Sequence, residues 1–191
     1  MRRIVLLISI VAAFALCAGA QTLIDFHDMP YVYVPTQMPD NYPQSMGLYW
    51  DNFSYVTPGL WSGAGPGFRV HPSGNSVDVA FAGGVLCNLT VPCTGMIKMN
   101  QPLAMQNKTF TPLNIALSAG WQANNVTITA YNNGTYVGTV VWRLTTTPQT
   151  FTFPAAWTVT QLAFTPDYLG NNATIPEGSV VIYTFSVMLN N

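Results

Sequence analysis

Apolar residues recur at every second position between clusters of Gly, Pro and Asn, and no stretch of eleven or more residues carries the 3.6-residue period of an amphipathic helix. Successive side chains of a strand point to opposite faces, so this pattern calls for half-buried β-strands and excludes a helical bundle. The alternation predicts strands over 23–26, 31–34, 47–55, 76–81, 95–99, 113–119, 126–131, 136–144, 149–153, 158–164 and 180–189. That is about ten strands, which predicts an all-β fold, an antiparallel β-sandwich of jelly-roll type. The clearest local signal is a hairpin. Val126-Thr-Ile-Thr-Ala-Tyr131 and Tyr136-Val-Gly-Thr-Val-Val-Trp142 flank Asn132-Asn133-Gly134, and Asn-Gly readily takes the positive φ angles of a type I′ turn. With Asn133 and Gly134 as the central pair, Val126, Ile128 and Ala130 share the core side with Val137, Thr139 and Val141.

The chain divides into three stretches. Arg2 and Arg3, an apolar run from Ile4 to Ala18 and the small triplet Ala18-Gly19-Ala20 describe a secretory signal peptide over 1–20. Residues 21–36 then form an N-terminal strand or arm, broken by Pro30 and open to exchange between subunits, and 37–191 form the sandwich domain. No transmembrane segment is expected after the leader, since the most apolar later run, Val180 to Leu189, is shorter than the roughly 20 residues a spanning helix needs. Removing the leader removes Cys17 and leaves Cys87 and Cys93, which are expected to pair as a local disulfide in an oxidising compartment.

Charged residues make up only 7% of the chain against 49% hydrophobic ones. Beyond residue 20 the bases are Arg69, Lys98, Lys108 and Arg143, set against seven acids, so nothing attracts a polyanion and nucleic-acid binding is excluded. A chain this apolar folds, but it needs another source of solubility. Six Asn-X-Ser/Thr acceptors, at Asn52, Asn88, Asn107, Asn125, Asn133 and Asn172, supply one: N-glycans mask apolar surface and hydrate strand edges where other proteins use Lys and Glu. The expectation is a secreted glycoprotein, extracellular or at the cell surface.

Catalysis has little to stand on. Glu177 is the sole glutamate, whereas a glycosidase needs two paired carboxylates. Asp25-Phe-His-Asp28 is the densest ionisable cluster, but in a strand Asp25 and His27 share one face and Asp28 takes the other. His71 stands alone in a loop sequence, and neither a Gly-X-Ser-X-Gly nucleophile motif nor a phosphate-binding loop is present. No catalytic residue and no cofactor is therefore expected.

Two roles remain. Sugars stack on aromatic faces, and Trp61 and Tyr168, in Gly/Pro/Asn-rich loops over 56–68 and 165–174, together with Tyr49, are the candidate glycan-stacking platforms. Trp50, Trp121, Trp142 and Trp157 lie in or beside alternating strands and read as core. Alternatively, the terminal strands, 23–34 and 180–189, carry no lysine gatekeeper and could offer their edges to a neighbouring subunit, giving self-association and filaments.

Several patches, in order, carry a family resemblance: Ile24-Asp-Phe-His-Asp28, Gly47-Leu-Tyr-Trp-Asp-Asn-Phe53, Trp121 after an alternating strand, Tyr131-Asn-Asn-Gly134, Phe151-Thr-Phe-Pro154 and Leu162-Ala-Phe164. With them the chain resembles the secreted β-jelly-roll exoproteins of bacterial sorting-signal and fungal or oomycete secretome type, which are similar to carbohydrate-binding modules. The resemblance implies a structural calcium held by acidic residues of the first and last strands. Asp25 and Asp28 match the first half, while the last strand, Val181-Ile-Tyr-Thr-Phe-Ser-Val187, has no acidic residue. The reading is a non-catalytic extracellular structural or cell-surface glycoprotein. Its alternative is a carbohydrate-binding module or lectin for cell-wall or matrix polysaccharide.

Overall fold

The computed structural model describes residues 20–69, 78–82, 94–99, 108–167 and 179–190. Alternation is realised as β1 (Gln21–Ile24), β2 (Thr36–Gln37), β3 (Leu48–Asp51), β4 (Phe53–Val56), β5 (Val79–Ala82), β6 (Gly95–Met99), β7 (Thr109–Ala119), β8 (Asn124–Asn132), β9 (Thr135–Leu144), β10 (Gln149–Thr152), β11 (Gln161–Pro166) and β12 (Val180–Asn190). A seven-stranded sheet runs β10-β7-β12-β5-β4-β2 with β1 also paired to β12, and a five-stranded sheet runs β3-β6-β11-β8-β9. Every pairing is antiparallel. The two sheets pack face to face as the expected jelly-roll sandwich. Leu48, Trp50, Ile97, Val126, Ile128, Ala130, Leu162 and Phe164 of the smaller sheet meet Phe53, Tyr55, Ala80, Ala82, Ile115, Leu117, Ile182 and Phe185 of the larger in one buried core.

Four local differences from the alternation have identifiable causes. The run 47–55 is two strands in different sheets: at Asn52 the backbone turns left-handed, φ 56°, and carries the chain from one layer to the other. Asn is among the residues that tolerate that conformation, and its Nδ2 donates to the carbonyl of Thr94, beside β6, at 3.2 Å. Residues 31–34 form no strand, being flanked by Pro30 and Pro35 and held through Val32, whose N–H reaches Thr57 Oγ1 at 2.9 Å. Pro112 sits inside β7, opposite Val187, at a register shift between Ser186 and Val187 that accommodates its missing donor.

The fourth difference concerns the hairpin. Asn133 and Gly134 do occupy the turn, with φ 47° and 78°. A register shift between Ala130 and Tyr131, however, places one extra residue, Val137, in β9. Ala130 therefore faces Gly138, Ile128 faces Val140 and Val126 faces Trp142, so Val140 and Trp142 turn inward while Thr139 and Val141 turn out.

β1 pairs with residues 185–188 of β12, and β12 also lies beside β7 and β5. The last strand is thus interior to its own sheet, and the arm's first strand is laid against it in the same chain. Among the described residues no helix is long and apolar enough to cross a membrane.

Candidate functional site: a tyrosine row across the five-stranded sheet

Strand alternation puts Leu48 and Trp50 in the core and therefore turns Tyr49 and Asp51 to the outer face of the five-stranded sheet. Tyr49 stands opposite Lys98, Lys98 opposite Gln161, Gln161 opposite Tyr131 and Tyr131 opposite Tyr136. Directly opposed residues of antiparallel strands share a face, so these five side chains form one row from edge to edge. Four interstrand spacings of about 4.8 Å make it roughly 19 Å long. The Tyr131 and Tyr136 rings meet edge to face at 6.4 Å and 75°.

The next row along the strands is smaller: Asp51, Met96, Ala163, Thr129 and Thr139. The tyrosines therefore stand as a ridge beside a lower polar shelf. Thr129 and Thr139 hydroxyls approach to 3.3 Å there, and the Thr94 and Thr165 hydroxyls lie 3.0 Å apart nearby. Lys98 Nζ lies 2.8 Å from Asp51 Oδ2, both side chains 30% exposed, so the row's cation is neutralised on the spot. Gln161 donates to the Met96 sulfur at 3.5 Å, a weak acceptor that a ligand hydroxyl can replace at little loss. The surface offers aromatic faces, amide and hydroxyl groups and almost no net charge, which suits an uncharged polyhydroxyl chain.

Of the three proposed platforms, the two described ones, Tyr49 and Trp61, are not brought together. Tyr49 heads the row just described. Trp61 lies on the opposite side of the molecule, in a second apolar cluster on the outer face of the seven-stranded sheet with Val56, Phe68, Val79, Phe81, Val181 and Tyr183. It stacks on Phe81 at 6.3 Å and 12°, and meets Phe68 and Trp121 edge-on at 5.3 and 6.0 Å. One of its ring faces is thus taken by protein, and its role there is to anchor the loop after β4. Tyr168 lies outside the described residues. Sequence reasoning did not single out Tyr131, Tyr136, Lys98 or Gln161. Their alternation marked them as outward, but only register shows that they are neighbours.

That loop is pinned by buried polar groups. The Tyr183 hydroxyl donates to the Gly67 carbonyl, the Ser118 hydroxyl lies 2.8 Å from that oxygen and 2.9 Å from the Tyr183 oxygen so that its one proton can reach either, and Gly67 N–H donates to Gly120 O at 2.9 Å. Burial pushes the Tyr183 phenol up to about 12, the Ser118 bond offsetting only part of the shift. Thr57 donates to the buried Asp78 carboxylate and receives the Val32 N–H, which ties 31–34, the loop and β5 together. Desolvation raises the Asp78 carboxyl above its usual range.

Of the Trp residues read as core, Trp50 and Trp157 are buried, while Trp142 and Trp121 are half-buried. Trp142 stacks on Phe151 at 4.6 Å and closes one side of the sandwich. Asp25 Oδ2 lies 3.1 Å from His27 Nδ1, and Asp28 accepts the Tyr42 hydroxyl. The two carboxylates named for calcium are thus each engaged by a protein group, and no cluster of three or more metal-ligating side chains exists among the described residues. Burial and the Asp28 carboxylate drive the Tyr42 phenol far upward. Among the acceptor asparagines, Asn133 is exposed at the hairpin tip, Asn52 is exposed at the layer crossing, and Asn125 is half-buried with Nδ2 donating to Asp167 at 2.8 Å. Asn88, Asn107, Asn172, Cys87, Cys93, His71 and Glu177 lie outside the described residues.

Fold and site define an all-β jelly-roll sandwich with an exposed tyrosine-bearing sheet. No family model matches the chain, and no curated protein matches its sequence. Among solved structures it is similar to a DUF4465 family protein from Bacteroides caccae, with TM-score 0.52, 9% identity, and coverage of 90% of this chain and 93% of that one. Weaker likenesses are to the family 32 carbohydrate-binding module of C. perfringens NanJ, solved with galactose (TM-score 0.38, 14% identity, 81% of this chain and 99% of that one). A third is to the K1 cleaved adhesin domain of the Lys-gingipain of Porphyromonas gingivalis (TM-score 0.42, 10% identity, 90% and 98%). At 9% identity the likeness to the first of these is one of fold alone.

Proposed function

We propose that this chain is a non-catalytic, secreted carbohydrate-binding domain that takes an uncharged polysaccharide across the outer face of its five-stranded sheet. The observation that carries the reading is the in-register row Tyr49, Lys98, Gln161, Tyr131 and Tyr136. Its tyrosine rings would stack on sugar faces, and Gln161 with the shelf threonines would exchange hydrogen bonds with hydroxyls. Within the row, the Lys98–Asp51 pair leaves no net charge to recruit a polyanion. N-glycans on Asn52, Asn125 and Asn133 would keep the sheet dispersed, Asn133 from the tip of the very hairpin that carries Tyr131 and Tyr136.

Affinity electrophoresis of the secreted protein through gels holding xylan, mannan or mixed-linkage β-glucan, with alginate as the anionic control, tests this. Retardation by at least one neutral polymer, lost in Tyr131→Ala, is the expected outcome. Retardation by alginate alone, or equal migration of the wild type in all gels, sinks the reading.

Assembly through the chain ends needs open terminal strands. With β12 enclosed by β7, β5 and β1, the geometry supports ligand binding over assembly through the chain ends.

A further inference from the structure

Among the described residues, the long open edge is elsewhere. β9 ends the five-stranded sheet and spans ten residues, whereas the strands at the other sheet margins, β10, β2, β1 and β3, have four or fewer. Among the described residues no strand pairs with its far side. Natural sheets protect such an edge with lysine, proline, inward charge or a bulge. The bulge of β9 lies at Val137, and the strand beyond it has none of these: its sole charge is Arg143, near one end, and it presents Val141 with 62% of its surface exposed. No glycan acceptor lies within it; Asn125 is on β8 and Asn133 at the turn.

We infer that β9 pairs antiparallel with β9 of a second copy, forming a two-fold dimer in which two five-stranded sheets become one. The sequence of the strand accepts its own copy as partner without a side-chain conflict. A two-fold axis through Val140 sets Val140 against itself, Thr139 against Val141 of the second copy, and Gly138 against Trp142 of the second copy. Outward residues then meet outward ones and inward meet inward, as antiparallel pairing requires. Two β-branched pairs cover the exposed Val141 on the outer face. On the inner face a residue without a side chain meets the largest one. The bulge at Val137 limits the ladder to the regular segment 138–142. Each Arg143 falls opposite Val137, so the two cations stand about six residues, roughly 20 Å, apart, beyond the screening length at physiological salt.

The axis is perpendicular to the sheet, so both tyrosine rows face the same way on one continuous surface. This consequence rests on the sugar-binding reading, while the dimer does not. Two weak sites on one rigid body bind a polymer far more tightly than either alone.

Sedimentation velocity of the full secreted protein over a range of concentrations tests the pairing. The wild type is expected to be dimeric. Val141→Lys puts a charge on the open edge and should give monomers, as should Thr139→Asn combined with Val141→Thr, which creates a glycan acceptor at the strand centre in a glycosylating host. Both changes are at outward positions, and unchanged circular dichroism and thermal unfolding confirm that the fold persists. A monomeric wild type at every concentration, or dimers surviving in both variants, overturns the proposal. Tyr131→Ala should remain dimeric while losing polysaccharide. Val141→Lys should keep its affinity for a short soluble oligosaccharide and lose tenfold or more on immobilised polymer. A dimer that binds no sugar leaves the pairing standing and refutes the sugar site alone.

Discussion

Tyr131 and Tyr136 meet edge to face across the β8–β9 hairpin, ring centroids 6.4 Å apart at 75°, and close one end of the tyrosine row. Because each ring fixes the other's orientation, removing either should weaken ligand stacking. Tyr131→Ala and Tyr136→Ala are each expected to lower polysaccharide affinity about tenfold, near 1.4 kcal/mol. Isothermal titration with the polymer that retards the wild type measures it; unchanged affinity in both variants would place the sugar site elsewhere.

Trp61→Ala should behave in the opposite way. It empties the ring stacked on Phe81 and flanked by Phe68 and Trp121, so the loop after β4 loses its anchor. A cost of about 3 kcal/mol, the low end for truncating a large aromatic, suits a half-buried ring. Urea unfolding should show that loss while polysaccharide binding at the opposite sheet stays intact.

Gly67→Ala should be more damaging still. A Cβ at that position would lie 1.7 Å from the Ala119 carbonyl oxygen, and backbone cannot yield as a side-chain tip can. Loss of more than about 4 kcal/mol, or failure to fold, is expected. A stability within 1 kcal/mol of wild type, on the roughly 1 kcal/mol scale of a typical substitution, would contradict the packing described here.

Alkaline stability should report Tyr183. Its phenol titrates near 10 when unfolded and is pushed up to about 12 in the fold, so the folded state favours the neutral form. Its contribution is complete below pH 10 and is lost as pH rises from 10 through about 12, because the unfolded chain releases the proton first. Tyr183→Phe should remove this component of the decline, at a cost of about 1 kcal/mol for the hydrogen bond to Gly67. Unfolding curves of the two proteins from pH 8 to 12 make the test.

Asp78 gives the corresponding acid-side effect. Its raised pKa means that its burial favours folding below the ordinary carboxylate range and that this contribution falls as pH climbs through the raised value. Asp78→Asn keeps an oxygen to accept the Thr57 hydroxyl and removes the buried charge. The slope of stability against pH over that interval should flatten in the variant; an unaltered slope would assign it to another group.

Much of the architecture was legible because alternation acts locally. β6 begins and ends where the pattern said, and the Asn133-Gly134 turn follows from two residues that accept positive φ. The faces of β9 were not legible, since one bulged residue at Val137 reverses every side chain beyond it. Asn52 hid a change of sheet inside what read as one strand. Trp61 looked like an exposed loop ring because Phe81, Phe68 and Trp121, its neighbours in space, are scattered along the chain.

Sequence alone determined that this chain builds sheets, that it carries too little charge to seek a polyanion, and that its glycan acceptors are numerous: these properties depend on residue type and near-neighbour spacing. Only the tertiary structure decided that Tyr49, Lys98, Gln161, Tyr131 and Tyr136 share one line, and that among the described residues β9 and not a terminal strand is the long open edge. Strand partners and their register are set by packing two layers around a common core, a balance of long-range contacts that no short window of residues contains.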